Sequence, residues 1–208
     1  MVVLQDYSGW DDSTVLRAGW HTFRQGEIFI ASRFPIRQVR NLRLEEIAGE
    51  DDAEAPRFTG AGACFDLETP GGIVHLLNIH LASPHTGLTA VVTEPAKVAW
   101  KLRTNSTRRF NECASITKFI AGLEGPVILA GDFNMLDESP IFRAFWGRYR
   151  DAFEIHGWGY GYTHYTPVSQ LRLDHVLFRE PIECTSYQVG PNCGTPHRPV
   201  VVDLSLGR

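Results

Sequence analysis

The sequence predicts one α/β domain in which two β-sheets pack together with helices outside them. The first observation is a succession of short strand-like runs, several of which alternate apolar and polar residues. These runs are Val2–Gln5, Glu27–Ala31, Gly62–Glu68, Ile73–His80, Val127–Ala130, Leu173–Phe178, Cys184–Val189 and Val200–Leu206. The second observation is a single long helical stretch that a buried apolar strand follows. Without repeats or linkers, residues 1–208 are predicted to form one domain.

The long helix is predicted over about Lys97–Gly122. Apolar or small residues recur there at steps of three and four, and Gly122 is expected to end the helix. The residues of this stripe are Phe110, Cys113, Ile116, Thr117 and Ile120. A short helix is predicted after Ser139, whose hydroxyl we expect to cap it, with Pro140 in the first turn.

Composition gives no sign of several kinds of site. The net charge of −4 gives no general basic surface for nucleic acid, but it does not exclude a nucleic-acid substrate if carboxylates hold cations that meet the phosphate. No apolar run reaches the 18 residues that a membrane helix needs. The four cysteines form neither a CxxC motif nor a zinc-type cluster. A disulfide between Cys184 and Cys193 is left open.

Polar residues stand at the ends of several predicted strands. In "AGDFN", alternation along a strand places the side chains of Asp132 and Asn134 on one side and Phe133 on the other. Taken singly, a strand-end aspartate or asparagine is more often a turn residue than part of a site. Asp174, which enters the buried run "DHVLF", must be paired, whereas the neighbouring His175 faces the other way and suits a structural role equally well.

The order of these motifs resembles the endonuclease/exonuclease/phosphatase superfamily, which includes deoxyribonuclease-like enzymes. The segments that carry the resemblance are "VVLQD", "FIASRFPI", "LLNIHLASP", "VILAGDFNMLDESP", "RLDHVLF" and "PHRPVVVDL", and they cover nearly the whole chain. The resemblance implies a four-layer sandwich of two packed mixed β-sheets flanked by helices. It also implies cleavage of phosphoester bonds with the help of Mg²⁺ or Mn²⁺.

The resemblance also implies site residues. Asp6 takes the place of the family's metal-binding Glu after Gln, and His80 that of the histidine that contacts the scissile phosphate. Asp132 and Asn134 match the pair that orients the attacking water and binds phosphate. The carboxylate–imidazole pair near the end of the chain corresponds to Asp174 and His197.

Two departures from the family pattern concern metal and phosphate binding. Pro196 stands where the family has an Asp directly before its last histidine, an acid that often binds the metal. The family also has an asparagine on a strand that precedes "LQD", and residues 1–208 are expected to lack this first strand. Because the chain opens inside a strand-like run, that strand either precedes these residues or is absent, and both alternatives stay open. An upstream membrane anchor and the cellular location stay open.

The sequence therefore predicts a divalent-metal-dependent hydrolase of the phosphodiesterase or nuclease type, acting as a monomer. Its substrate is expected to be a phosphoester, with nucleic acid, a phospholipid headgroup and an inositol phosphate all open. The aromatic stretch "HGWGYGYTHYTP" either contacts such a substrate or packs the sandwich edge. The alternative is a catalytically impaired relative that binds a phosphorylated ligand or a partner, a reading that the two departures favour.

Overall fold

A six-stranded mixed sheet forms the centre of the computed structural model, which describes residues 1–6, 19–42, 62–84, 95–166 and 169–207. In spatial order its strands are β4 (Ile36–Asn41), β5 (Gly62–Thr69), β6 (Gly72–His80), β7 (Val127–Asp132), β11 (Asp174–Phe178) and β8 (Arg150–Asp151). Neighbours pair antiparallel except β6 and β7, which are parallel. A parallel pair requires a crossover, and the long predicted helix lies between these two strands in the chain.

Two smaller sheets cover one face of the central sheet. The first has the order β1 (Val2–Leu4), β3 (Ile28–Ser32), β2 (His21–Gln25), and the second is the hairpin of β12 (Ile182–Val189) with β13 (Val200–Leu206). The apolar side chains between the layers come from both sides, and among the largest are Ile30, Phe65, Leu76, Ile128 and Phe178. A separate short hairpin joins β9 (His164–Thr166) to β10 (Ser169–Leu171). The predicted sandwich of packed sheets is confirmed.

Helices cover the other face of the central sheet. Helix α1 (Val98–Ala121) follows a short 3-10 turn at Pro95–Lys97, and α2 is Pro140–Trp146. Both helices pack on the sheet through one core, to which α1 contributes Cys113, Ile116 and Ile120. A five-residue helix, α3 (Ala152–His156), follows β8 and contacts β12. None of the helices in the described parts of the chain is long and apolar enough to cross a membrane.

The predicted helix stripe needs one correction. Phe110 is about half exposed, and its ring meets Phe145 of α2 at 4.9 Å instead of entering the core. The buried polar residue Glu112 lies on the inner face of α1 and contacts the loop after β6. The helix ends before Gly122 as predicted, and α2 begins at Pro140, but Ser139 forms no side-chain capping bond.

All four cysteines are free thiols, so the disulfide left open by the sequence is not formed. Cys184 is buried in the inter-sheet core, where its thiol donates to the carbonyl oxygen of Ser186 at 3.3 Å. Cys193 is exposed, and its thiol contacts the Pro191 carbonyl oxygen at 3.4 Å. Burial raises the pKa of the Cys64 thiol to about 11, which keeps it protonated and unreactive at neutral pH.

Two glycines allow the strands on either side of β6 to approach its backbone closely. Gly62 on β5 and Gly131 on β7 both pair with Ile79. A Cβ atom on Gly131 would lie 2.0 Å from the carbonyl oxygen of Ile79, and one on Gly62 would lie 2.1 Å from that of Asn78. Both glycines also have positive φ, +140° for Gly131 and +143° for Gly62. A side chain at either position would therefore collide with β6.

We predict that Gly131→Ala lowers the free energy of unfolding by at least about 2 kcal/mol more than Gly72→Ala, as overpacking against backbone does. Gly72 is a matched control because its φ is also positive, +111°, yet nothing lies within 4 Å of its Cβ position. Urea unfolding of the two variants and wild type provides the measurement. Equal losses in both variants would show that strain alone, and not the approach of β6, requires glycine at residue 131.

Candidate active site

The register of three adjacent strands aligns three of the predicted site residues. His80 at the end of β6 pairs with Asp132 at the end of β7, and Asp132 pairs in turn with Asp174 at the start of β11. Because β6 and β7 are parallel and β11 runs the other way, all three side chains lie at the same end of the sheet. We refer to His80, Asp132 and Asp174 as the strand-end row.

The turn after β7 holds Asp132 and Asn134 together. Asn134 has left-handed backbone (φ +49°), a conformation that asparagine tolerates. Its backbone N–H donates to Oδ1 of Asp132 at 2.7 Å, and its side-chain amide donates to Oδ2 at 3.1 Å. Phe133 is fully buried in the core beneath α2. The two polar side chains thus share a side and the phenylalanine anchors the turn, as the strand alternation predicted.

His197 reaches the strand-end row from the loop between β12 and β13. Its Nδ1 lies 2.8 Å from Oδ2 of Asp174, which fixes the orientation of the ring. A β-bridge joins His197 to His164 on β9, and the two rings meet edge to face at 4.7 Å. The Asp174 end of β11 is itself held by Thr163, whose hydroxyl oxygen accepts the backbone N–H of Asp174 at 3.0 Å. The predicted carboxylate–imidazole pair therefore exists.

Two imidazoles converge on one carboxylate oxygen. The Nε2 atoms of His80 and His197 lie 3.8 Å and 3.9 Å from Oδ2 of Asp132. Burial, followed by the negative charge of Asp174, raises the pKa of Asp132 to about 7, against the opposing effects of His197 and the Asn134 N–H. Burial lowers the pKa of His80 more than the charge of Asp6 raises it. A carboxylate that titrates near neutrality between two imidazoles is suited to proton transfer.

Asp6 lies on the first small sheet beside the strand-end row. It follows β1 with left-handed backbone (φ +52°), and its carboxylate lies 3.7 Å from Nδ1 of His80. The side chain is 73% exposed, whereas that of His80 is 10% exposed. Glu27, in the turn between β2 and β3, joins them: ligand atoms of all three residues lie within 4.8 Å of one another. Sequence reasoning did not select Glu27, because a glutamate in a hairpin turn is usually a solvated residue.

Asn78 is a second residue that the sequence analysis missed. It is fully buried on β6, and its side-chain amide donates to the backbone oxygens of Leu4 at 3.0 Å and Phe29 at 3.2 Å. Its carbonyl oxygen accepts a hydrogen bond from the side-chain amide of Gln5. Asn78 thus fixes β1 and β3, and with them Asp6, against the strand that carries His80. The available signal was an amide inside the apolar run "LLNIH", since a buried amide must be hydrogen-bonded.

Helix α1 contributes two further positioning residues. Glu112 is buried, and its carboxylate accepts the backbone N–H of Ala82 at 2.8 Å and the Arg108 Nε–H at 3.1 Å. Arg109 donates from Nη2 to the carbonyl oxygen of Asn134 at 2.7 Å. The two side chains therefore fix the loops that follow β6 and β7, on either side of the pocket. Arg109 is partly buried in this contact, although most helix arginines are solvated.

His175 has a structural role. It is buried against Phe133 and Phe142, and its Nε2 lies 2.9 Å from the carbonyl oxygen of Met135. Its Nδ1 lies 3.0 Å from Nη1 of Arg172, which also donates to Asp151 at 2.8 Å. Because both ring nitrogens are engaged within the core, His175 does not reach the pocket.

A second group of potential metal ligands surrounds a side-chain cation, the guanidinium of Arg40. Cys64, Asp66 and His75 have ligand atoms within 4.8 Å of one another on the helix-covered face of the sheet. The guanidinium of Arg40 lies among them, with Nη2 hydrogen-bonded to Asp66, 3.5 Å from the Cys64 sulfur and 3.4 Å from His75 Nδ1. This cluster is an ion-pair network, and the Asp6 group is the better candidate for a metal.

Several solved structures share the architecture of this chain, and two of the three described next are phosphatases. A 3′ phosphatase from Neisseria, NExo, solved with a product DNA hairpin, is 16% identical over 98% of this chain and 88% of its own, with a TM-score of 0.68. A truncated Caenorhabditis elegans TDP2 is 16% identical over 95% and 81% of the two chains, with a TM-score of 0.61. A mannosyl-6-phosphatase from Bacteroides thetaiotaomicron is 16% identical over 91% and 78%, with a TM-score of 0.57. At this identity the likeness shows the fold. No curated protein gave a significant match.

The α/β sandwich of this chain is the architecture of these solved structures, and carboxylates and imidazoles cluster at one end of its central sheet. The chain belongs to the Endonuclease/Exonuclease/phosphatase family, whose model matches residues 2–197. The resemblance seen in the sequence motifs is therefore confirmed over nearly the whole chain.

We predict that the pKa of His197 lies above its ordinary value of 6.5 and falls in Asp174→Asn. Burial lowers this pKa, but the hydrogen bond and charge of Asp174, with the charges of Asp132 and Asp6, outweigh the burial. The pairing of His197 with Asp174 contributes its full stabilisation of the fold at pH values below the pKa of His197 in the unfolded chain. This contribution is lost as the pH rises through the higher pKa that His197 has in the folded protein. NMR titration of the imidazole protons in EDTA measures the shift.

The control for this titration is Asp203→Asn, which removes a carboxylate that bonds Ser186 on the β12–β13 hairpin. It makes the same change in charge and should leave the His197 titration where it is in wild type. A pKa for His197 that is unchanged in Asp174→Asn would contradict the pairing.

Proposed function

We propose that this protein is a divalent-metal-dependent hydrolase that cleaves phosphodiester bonds at the strand-end row. The observation that carries the proposal is the convergence of His80 and His197 on Oδ2 of Asp132, with Asp174 holding His197 from behind. A phosphodiester is an anion that resists attack by water. Its hydrolysis therefore needs donors for the phosphoryl oxygens and an acceptor for the proton of the attacking water.

The residues of the pocket divide these tasks. The imidazole N–H groups of His80 and His197 donate to phosphoryl oxygens, where negative charge develops in the transition state. The side-chain amide of Asn134 keeps Asp132 oriented, and Asp132 accepts the proton of the attacking water. A carboxylate with a pKa of about 7 is a better base for that step than an ordinary aspartate, because it holds the proton more tightly. Asp174 fixes the ring of His197 and favours its protonated form.

Asp6 is the proposed ligand of the divalent cation, Mg²⁺ or Mn²⁺. The residues fit such an ion, because Asp6 offers a largely exposed carboxylate beside the pocket histidine His80, with room for the water ligands that Mg²⁺ retains. A divalent cation bound there supplies positive charge next to the phosphoryl group. Asn78 and Gln5 position the carboxylate by holding the end of β1 against β6.

An exposed aromatic loop adjoins the site, and its composition indicates which kind of substrate the site suits. Trp158 is 95% exposed and Tyr160 is 78% exposed, and the ring of Tyr160 stacks on Tyr162 at 5.3 Å. The loop leads into β9, where His164 contacts His197. Exposed stacked rings at this position suit a substrate that carries a flat or apolar group beside its phosphate. Nucleic acid fits this description, as does a phospholipid headgroup with its neighbouring acyl surface.

The alternative proposal is a catalytically impaired relative that binds a phosphorylated ligand. It draws support from Pro196, which cannot supply the carboxylate that the family places beside its last histidine. The carbonyl oxygen of Pro196 accepts the backbone N–H of Tyr165 at 2.8 Å, so the residue serves to hold the loop against β9. Phosphate binding without turnover would distinguish this proposal from the enzymatic one.

We predict that His197→Ala and Asp132→Asn each reduce kcat/KM for bis(p-nitrophenyl) phosphate by at least roughly 10²-fold, the scale of a lost acid–base or charge-stabilising group. Release of nitrophenol in Mn²⁺ or Mg²⁺ measures the rates, and EDTA should abolish them. His21→Ala, at an exposed histidine of β2, is the control and should retain wild-type activity.

Circular dichroism and thermal melting of each variant separate loss of chemistry from loss of fold. Full activity in His197→Ala would remove the proposed mechanism. A wild-type protein that binds inorganic phosphate but turns over neither this diester nor p-nitrophenyl phosphate would support the alternative.

A further inference from the structure

Two carboxylates meet across the first small sheet. Strand β1 pairs antiparallel with β3, with Leu4 opposite Phe29. Continuing that register by two residues places Asp6 opposite Glu27, and their oxygen atoms, with a nitrogen of His80, lie within 4.8 Å of one another. Like charges directly opposite in an antiparallel pair are destabilising. The sheet therefore carries a repulsive pair at the edge of the proposed active site.

The backbone presents both carboxylates at this point. Glu27 lies in the two-residue turn between β2 and β3, which Gly26 makes possible with a φ of +57°. Asp6 has left-handed backbone, which is uncommon for a residue other than glycine and is concentrated at functional sites. The Asn78 amide holds the two strands in place by donating to the backbone oxygens of Leu4 and Phe29.

Positive charge placed between the two acids relieves the repulsion between them. A hard divalent cation is suited to that place, because it binds carboxylate oxygens and prefers ligands that are negatively charged. Exposed carboxylates can also bind it while leaving room for water ligands. The chemistry of this pair thus matches an ion that the proposed reaction requires.

We propose that Glu27 is a second protein ligand of the divalent cation held by Asp6. It supplies from the β2–β3 turn the carboxylate that Pro196 does not supply next to His197. This inference rests on the proposed function, since it takes a cation at Asp6 as given. The resulting site has two carboxylate ligands on the first small sheet and leaves the strand-end row free for the phosphoryl group and the water.

Binding of Mn²⁺ alone to the full chain tests the assignment, without substrate or turnover. Calorimetry and the loss of the free-Mn²⁺ electron paramagnetic resonance signal both report affinity. Wild type is compared with Glu27→Gln, Asp6→Asn and the control Glu183→Gln, which makes the same charge change at an exposed residue of β12. We expect Glu27→Gln to weaken Mn²⁺ binding by at least roughly tenfold, a loss seen even for groups that only support a ligand. Glu183→Gln should bind as wild type does.

Thermal melting keeps the test independent of misfolding. In EDTA, Glu27→Gln should melt no lower than wild type, because the substitution removes the repulsion with Asp6. In saturating Mn²⁺ wild type should gain more in melting temperature than the variant, since a ligand stabilises the state that binds it. A variant that melts lower in EDTA and gains as much as wild type from Mn²⁺ would overturn the assignment.

The outcomes separate this inference from the proposed function. Equal Mn²⁺ affinity in wild type and Glu27→Gln, with a loss in Asp6→Asn, would refute the role of Glu27 and leave the metal site at Asp6 intact. A wild-type protein that binds no Mn²⁺ at millimolar concentration would refute both. Loss in Glu27→Gln and Asp6→Asn, with none in Glu183→Gln, supports both.

Discussion

The close approach of β7 to β6 at Gly131 is the contact on which the site depends. Because Gly131 has no side chain, its strand pairs with Ile79 at a distance that any Cβ atom would prevent. That pairing sets the register one residue further on, where His80 meets Asp132, and the antiparallel pairing with β11 then adds Asp174. A slip of one residue would turn every side chain of a strand to its opposite face. The glycine of "AGDFN" is therefore as much a part of the site as the acid beside it.

The charges around the strand-end row largely offset one another, but those on the first small sheet do not. Asp132 is buried next to a second acid, Asp174, and both conditions oppose its ionised form. The charge of His197 and the backbone N–H of Asn134 offset only part of that effect. On the first small sheet the situation is different, because Asp6 and Glu27 face each other across a solvent-exposed edge. The pocket thus has a largely neutralised half on the central sheet and a half with excess negative charge on the first small sheet, which suits the phosphoryl anion and the cation of the proposed reaction.

Strand alternation and helix periodicity predicted those parts of the structure that depend on residues close together in the sequence. Alternation along a strand placed Asp132 and Asn134 together, and the helix stripe identified three buried residues while misplacing Phe110. Family motifs located Asp174 and His197, whose contact at 2.8 Å joins residues 23 positions apart. Glu27 escaped notice because its importance comes from the pairing of β1 with β3, and Asn78 because its hydrogen bonds reach backbone oxygens 49 and 74 positions away. Contacts of this kind are set by tertiary packing, which no window of sequence contains.

The hydrogen bonds of Asn78 carry a consequence for the order of assembly. They connect residues 73 and 74 positions apart, and they help to hold the end of β1 to the central sheet. The central sheet can bring His80, Asp132 and Asp174 together without β1, since all three belong to it. Asp6 joins them only when the first strand docks, a contact that closes a long loop of chain. The buried amide of Asn78 thus couples the part of the pocket on the central sheet to the part on the first small sheet.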